Sequence, residues 1–445
     1  MSLPQNSLLP RSNFEVLLGD STYLLPKRGA SDFLLYDPVG GYVLDVTAAQ
    51  AGILRAQAHD PVRLNTLLRA LTGASRKRVV PKASADAYSP TTVALMLTSA
   101  CQLRCSYCYA EAGDTKTQHL SSEIARKAIT IVARNASQTE QRQFTVHLHG
   151  AGEPTLMPGT IASLLDHISV EETHWSTICR KIMSSNFCVP PQQAVSYARS
   201  LTQIFVSSDG PPDIADAFRP MAKKGGSSGA ILENALAAVY GAQLSDKITI
   251  RCTVSSATQR RLCEITRYFS QFGIRKIYFV PVSSLGRGQD SLAIAADVFV
   301  EEFRKCGRVA ESLGVSIYYP GTDLSRARLD GYACGIKGSN FAVLPDGTVS
   351  VCYEAVVPGS ELREAYRIGT LSSEGLRVDE SRVQQIAHST HVSQRAACNT
   401  CFCRLTCAGQ CAARNVAPGI NKRDLPMTDA CDITRALTQA AIEDL

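Results

Sequence analysis

Short apolar runs broken by turn residues open the chain. Phe33-Leu-Leu-Tyr36 and Tyr42-Val-Leu-Asp-Val46 have strand length, and Asp37-Pro-Val-Gly-Gly41 between them carries turn chemistry. Thr47 suits the N-cap of a helix through Ala58, and Asp60-Pro61 suits the start of a second helix through Leu71. Two strands followed by two short helices predict a small winged-helix-like α+β domain over residues 1–75. Arg76-Lys-Arg78, two prolines and polar residues then mark 76–90 as a linker.

From Thr91 the pattern changes to strands alternating with amphipathic helices. Val93–Leu97, Phe144–His149, Lys181–Met183, Gln203–Ser207, Ile248–Val254 and Lys276–Val280 are the strand candidates. Ser122–Asn135, Ala230–Gln243 and Arg261–Phe272 are helix candidates between them. This alternation implies parallel βα units. Six units over 91–290 predict a partial (β/α)6 TIM barrel, open on one side, with ligands at the carboxyl ends of the strands. A bridging region, 291–330, leads to a cysteine-rich domain over 331–445. The fold class is α/β.

Composition narrows the chemistry. The 445 residues are 45% hydrophobic, enough for sizeable cores, and the net charge of +6 permits an acidic peptide partner without calling for nucleic acid. No stretch approaches the ~20 apolar residues of a membrane span. Met1-Ser-Leu-Pro-Gln-Asn6 lacks the basic and apolar pattern of a secretory signal, so a cytoplasmic location is expected. Sixteen cysteines in such a protein point to metal or cluster ligation rather than disulfides. Cys179, Cys188, Cys252, Cys263, Cys306 and Cys403 stand apart as small buried hydrophobes.

The strand ends carry the candidate chemistry. Cys101, Cys105 and Cys108 follow the first strand with C-x3-C-x2-C spacing. Three thiolates leave one iron of a four-iron cluster without a protein ligand; zinc is the other reading of the spacing. Gly150-Ala-Gly152-Glu153-Pro154 follows the second strand. Its glycines permit close backbone approach, and its carbonyls and carboxylate suit an amino group; the plainer reading is a glycine turn with a helix-capping acid. Ser184-Ser185-Asn186 ends the third strand, and Ser207-Ser208-Asp209-Gly210-Pro211 ends the fourth. Arg219 offers a fork to a carboxylate, or else forms a structural ion pair. His147 and His149 alternate along one strand as scaffold histidines.

In this order, these motifs resemble those of the radical S-adenosylmethionine (SAM) family. The resemblance implies that the open iron chelates the amino and carboxyl groups of SAM. An electron from that cluster then cleaves SAM to a 5'-deoxyadenosyl radical, which abstracts a substrate hydrogen. Glu153 and its glycines would meet the SAM amine, and Ser185-Asn186 would lie near the ribose. Ser207, in the Ser-x-Asp-Gly motif with Asp209, would meet the carboxylate or ribose, and Tyr107 would lie beside adenine. Arg219 matches the arginine of the family's trailing segment, while Arg251 and Thr253 match a family position less sharply.

The C-terminal cysteines resemble the SPASM extension of that family. Cys334 and Cys352 flank Gly347, Cys398-x2-Cys401-x5-Cys407-x3-Cys411 follows, and Cys431 completes the set; a structural zinc domain is the other reading. The resemblance implies an auxiliary cluster on Cys398, Cys401, Cys407 and Cys431, and a further one on Cys334, Cys352 and Cys411. Some relatives place a cysteine where this chain has Arg328, so the latter cluster has either an open iron or an unidentified ligand. With the SAM-binding cluster this makes three [4Fe–4S] clusters.

The resemblance spans roughly residues 91–437 and implies a SPASM-type oxidoreductase acting on peptides. Anaerobic sulfatase maturases begin close to their SAM cysteines and place an Asp after the second SPASM cysteine. Here a hundred residues precede Cys101, and Tyr353 follows Cys352. The expected function is therefore a maturase that forms a C–C or thioether crosslink in a ribosomally made precursor peptide. Residues 1–75 would recognise its leader segment, or serve as a packing cap, and the electron donor would be a ferredoxin or flavodoxin. Tyr353 and Glu354 are candidate proton acceptors. The rival of another class is a non-catalytic iron–sulfur or zinc protein.

Overall fold

The structure, a computed structural model, describes residues 15–18, 21–72, 88–114, 116–288, 290–322, 324, 330–415 and 429–445. Residues 1–6, most of the expected linker and Arg328 lie outside them.

The N-terminal unit holds four strands where the pattern predicts two. β1 (Glu15–Leu18), β2 (Thr22–Pro26), β3 (Phe33–Asp37) and β4 (Tyr42–Val46) form an antiparallel sheet in that order. Two helices follow, α1 (Ala48–Ala56) and α2 (Pro61–Thr72). Thr47 caps α1 through a reciprocal pair of hydrogen bonds with Gln50. Asp60 accepts from the amides of Val62 and Arg63 at the start of α2.

This sheet is buried on both faces. Leu24, Leu35 and Val46 pack on Ala51, Leu54, Leu64 and Leu68 of the two helices. Tyr23, Leu25, Leu34 and Tyr36 face the other way, onto Phe402, Cys403 and Ile442. Two-sided burial removes the alternation of apolar and polar residues by which a half-buried strand is recognised, so β2 was not legible in the sequence.

The barrel follows the expected order. β5 (Thr92–Met96), α3 (Ser122–Ser137), β6 (Gln143–His149), α4 (Pro158–Trp175), β7 (Ile178–Ser185), α5 (Pro191–Ser200) and β8 (Gln203–Ser207) form its first half. α6 (Pro212–Phe218), α7 (Ser228–Gly241), β9 (Ile248–Val254), α8 (Leu262–Ser270) and β10 (Lys276–Pro281) complete the six strands. Neighbours from β5 to β10 are all parallel. Along β6, Phe144, Val146 and Leu148 are buried in the main core, while the alternate residues His147 and His149 face the interior beside Tyr353.

The sheet does not stop at six strands. The bridging region supplies α9 (Ala296–Ser312) and β11 (Ser316–Tyr318), which pairs in parallel with β10. On the other side β12 (Asn340–Val343) pairs in parallel with β5, extending the barrel sheet into the cysteine-rich domain. β13 (Thr348–Ser350), α10 (Glu361–Tyr366), β14 (Arg367–Ser372), β15 (Gly375–Val378), α11 (Glu380–Thr390), α12 (Arg404–Cys407) and α13 (Asp429–Glu443) complete that domain. α13 also holds the N-terminal sheet: Gln439 Nε2 donates to the Pro26 carbonyl at 2.7 Å, and Arg28 Nη2 donates to the Ala436 carbonyl at 3.0 Å.

The contact between sheet and cysteine-rich domain is thus a shared core. Tyr36→Ala should cost about 3 kcal/mol, the scale of an aromatic truncation in a core. The expected outcome is a lower thermal midpoint and apolar dye binding at Phe402 and Ile442. An unchanged midpoint would show the contact to be superficial.

Candidate active site at the strand ends

The Cys101–Cys108 loop is braced by the segment after α6. The amides of Arg104 and Ser106 donate to the carbonyls of Pro220 and Phe218, and the Ala222 amide donates back to the Gln102 carbonyl. Two guanidinium groups hold loop carbonyls: Arg104 binds those of Cys101, Leu103 and Gly113, and Arg287 Nε binds that of Cys105 at 3.0 Å. Burial pushes the Cys101 thiol up to about 12 and raises Cys105 as well. The neighbouring Cys105 and Cys108 add to the cost of charging Cys101. Without a balancing cation Cys101 and Cys105 resist becoming thiolates, and a bound metal would supply that balance. Donors already point at the sulfur: the Leu103 amide at 3.4 Å and Asn186 Nδ2 at 3.8 Å, both on Cys101 Sγ.

The glycines of the next loop serve close approach to the cysteine loop itself. The Gly152 amide donates to the Thr98 carbonyl and the Glu153 amide to the Ala100 carbonyl, each at 2.8 Å. A Cβ on Gly152 would lie 2.0 Å from the Ala100 oxygen, and one on Gly150 would lie 2.1 Å from the Gly152 oxygen. Pro154 opens a single 3-10 turn that Glu153 caps. Glu153 is buried. Its Oε1 accepts from the amide and hydroxyl of Thr155 and from Ser185 Oγ, and its Oε2 accepts from the Asn186 amide. Burial raises its pKa while these donors pull it down. The capping-acid reading is therefore realised, and the carboxylate ties the second strand end to the third. The fourfold engagement leaves Oε2, with a single donor, as the edge open to a further partner.

Asp209 and Arg219 take the structural reading too. Arg219 Nε and Nη2 form a buried fork with the Asp209 carboxylate at 3.0 and 3.1 Å. The Thr253 amide donates to Asp209 Oδ1 at 3.0 Å, and the Tyr107 hydroxyl donates to Oδ2. The Arg219 guanidinium also lies 5.2 Å over the Tyr107 ring, which stacks on Phe218. So Arg219 is committed to Asp209 and cannot also present its fork to a carboxylate ligand. Tyr107 is fixed from three sides, and the cysteines flanking it are fixed with it.

The barrel interior beyond this pin is polar. Ser207 pairs in register with Arg251, placing both on the interior face. Arg251 keeps solvent exposure although it lies deep enough for desolvation to lower its pKa. Both hold because the interior is open. Glu354 attracts it and Arg414 repels it. Glu354 accepts from Arg414 Nη2 at 3.3 Å and from Cys411 Sγ at 3.8 Å. His147 is hydrogen-bonded to Ser184 Oγ at 2.8 Å, and burial drives its pKa well down. Burial takes His149 down to about 4. Both are therefore neutral near pH 7, as scaffold histidines are. Burial pushes the Tyr353 hydroxyl up to about 12, so it stays protonated at neutral pH. Of the two proton-acceptor candidates, Glu354 is the better placed.

The seven C-terminal cysteines gather in two interleaved groups. Cys352 feels the charges of Cys411 and Cys334. Cys407 feels those of Cys401, Cys431 and Cys398, and these four line one pocket. Among the described residues, no three His, Cys, Asp or Glu side chains converge as the ligands of a single ion do; the ligands of a cubic cluster bind separate irons. Cys403 is buried against the N-terminal sheet, as a small hydrophobe. Arg104, Arg287 and Arg414 were missed in the sequence, since a lone arginine in a loop carries no spacing signal.

No protein-family model matches this chain, and no curated protein matches it. Among solved structures it is similar to native anSMEcpe with bound AdoMet and Cp18Cys peptide, with a TM-score of 0.62 and 16% identity over 80% of this chain and 97% of that one. It is similar to Streptococcus suis SuiB bound to precursor peptide SuiA, with a TM-score of 0.50 and 12% identity over 86% and 93% of the two chains. SuiB bound to S-adenosylmethionine gives 0.51 and 12% over 90% and 96%. The chain shares its fold, with one large and mostly parallel sheet, with these structures.

Proposed function

We propose that this chain is a radical SAM enzyme of the SPASM type that crosslinks a precursor peptide, by a C–C or thioether bond. The observation that carries this reading is one polar interior reached from two cysteine groups. Tyr109, next to Cys108, and Tyr353, next to Cys352, pack against the same interior cluster, and Glu354 beside Tyr353 touches Cys411. The fold neighbours captured with SAM or with a peptide support it. Cys101, Cys105 and Cys108 would hold the SAM-binding cluster, which supplies a 5'-deoxyadenosyl radical to a substrate C–H bond. The chain's own residues do the rest. The Asp209–Arg219–Tyr107 pin and the Arg104 and Arg287 clamps keep the three thiols in place. Ala94, Met96, Ala342 and Leu344 form an apolar cluster with Ala151 and Val356 that keeps water from the floor of the interior. Arg251 offers a guanidinium to a carboxylate of SAM or peptide. Glu354 Oε2 would accept the proton that the substrate loses on bond formation, and the electron released at the same step would pass to the auxiliary clusters.

The N-terminal unit would be the winged-helix-like recognition domain for the leader segment. β4 ends the order of its sheet. A groove lined by Tyr36, Tyr42, Val43, Leu324 and Ile442 runs beside it. An extended peptide can add there through main-chain hydrogen bonds. The remaining partners are two auxiliary clusters and a ferredoxin or flavodoxin donor, in the cytoplasm. No helix of the described residues is long and apolar enough to cross a membrane. The sulfatase-maturase-like reading is the second one, favoured by the higher TM-score to anSMEcpe; Tyr353 in place of an Asp stands against it.

The deciding experiment is anaerobic reconstitution followed by incubation with SAM, reductant and a short peptide encoded beside this gene. 5'-Deoxyadenosine together with a peptide lighter by a pair of hydrogens is expected. No 5'-deoxyadenosine from fully iron-loaded protein would sink the proposal. Replacing Cys101, Cys105 and Cys108 with Ala should abolish SAM cleavage and lower iron from about twelve to about eight per chain, for three four-iron clusters.

Asp209→Asn leaves Arg219 as a buried unpaired charge, a loss of about 3–5 kcal/mol for such a pair. The expected result is selective loss of iron from the SAM site with the auxiliary iron retained. Full SAM-site occupancy in this variant would show the pin to be dispensable.

Val43 lies opposite Tyr36 in register and lines the β4 groove. Val43→Glu should weaken leader binding about tenfold, roughly 1.4 kcal/mol, by fluorescence anisotropy. Unchanged affinity would move recognition elsewhere on the molecule.

A further inference from the structure

The pocket of Cys398, Cys401, Cys407 and Cys431 is lined by Arg395, Arg404 and Arg435 and, among the described residues, by no carboxylate. Arg395 is 7% exposed; its Nη1 is spent on the Gly409 carbonyl at 2.5 Å. The Nε atoms of Arg395 and Arg404 are buried and meet no acceptor among the described residues. A buried donor without an acceptor costs about 1–3 kcal/mol, and two such donors in one pocket point to an anion they are built to face. Four thiolates around an iron–sulfur core make a net negative centre, and one-electron reduction deepens its charge. Nearby positive charge therefore stabilises the reduced form more than the oxidised one. The Cys334, Cys352 and Cys411 group differs: Glu354 sits 3.8 Å from Cys411 Sγ, with Arg414 as its counter-ion.

We propose that Arg395 and Arg404 tune the Cys398–Cys431 pocket for a polyanionic cluster and raise its reduction potential above that of the Cys334–Cys352–Cys411 centre. This rests on the cluster reading above and adds an order of potentials to it. Both arginines are positioning residues, acting on the centre through charge and N–H donors.

The test is an EPR-monitored redox titration of the full chain with Cys101, Cys105 and Cys108 replaced by Ala, which leaves only the auxiliary signals. Arg395→Gln and Arg404→Gln should each move one midpoint to more negative values and leave the other in place, with the double variant moving further. Arg395→Lys and Arg404→Lys, which keep the charge, should stay nearer the unsubstituted value. Should the Gln variants lose iron and sulfide while the Lys variants load them, the charge requirement is upheld. Unmoved midpoints in the Gln variants would overturn the proposal, as would equal loss of iron from Gln and Lys variants. Zinc without sulfide in the unsubstituted chain would overturn it by removing the cluster reading itself, while active SAM chemistry with unmoved midpoints would overturn this proposal alone.

Discussion

The buried Asp209 carboxylate is the constraint from which the rest of the site follows. It receives the Arg219 fork, the Tyr107 hydroxyl and the Thr253 amide. These come from the segment after α6, the cysteine loop and the fifth strand, and Asp209 itself lies at the end of the fourth. A charge this deeply buried is tolerable only with its partners in place, so the carboxylate imposes one mutual arrangement on all four segments. The cysteine loop has little regular structure of its own. It inherits its shape from Asp209 and from the backbone ladder to Phe218–Ala222. Glu153 does the same on the other side, binding the second strand end to the third through Thr155, Ser185 and Asn186.

Both acids show how a family motif can be legible while its physical role is not. Glu153, Asp209 and Arg219 were identified from spacing and assigned by resemblance to ligand contact. Their geometry commits most of their hydrogen-bonding capacity to the protein. The capping acid and the ion pair are both present, and Glu153 Oε2 keeps room for a further partner. Spacing reports that a residue type is needed at a strand end; it does not report what the residue faces. Arg251 is the reverse case. Its motif match is weak, yet its guanidinium makes no hydrogen bond or ion pair among the described residues and keeps solvent exposure.

Legibility of the fold followed burial in the same way. Strands β5 to β10 lie between helices and polar interior, and their length and turn boundaries gave them away within a few residues. β11 and β12 are short, with Ser316–Tyr318 only three residues long, and their pairing with β10 and β5 is a tertiary fact that no local pattern encodes. β2 was lost for the opposite reason, being apolar on both sides. The two cysteine groups of the C-terminal domain were separable only through the family resemblance, because their ligands interleave along the chain.

The double burial of the N-terminal sheet bears on how recognition and chemistry are joined. Tyr23, Leu25, Leu34 and Tyr36 cover Phe402 and Cys403, and Cys401 and Cys407 pack at the margin of the same cluster. The sheet that would take up a leader peptide at β4 is therefore also the wall of an auxiliary pocket. Such a wall is close-packed and transmits displacement rather than absorbing it. A strand added at β4 would lie beside Val43, which sits opposite Tyr36 across the β3–β4 pair, and the Tyr36 ring lies in the core that holds Phe402 beside Cys401. One face of the sheet thus seals the pocket as a cap, and that packing is compatible with the proposal that the β4 edge takes up a peptide, since β4 ends the sheet among the described residues.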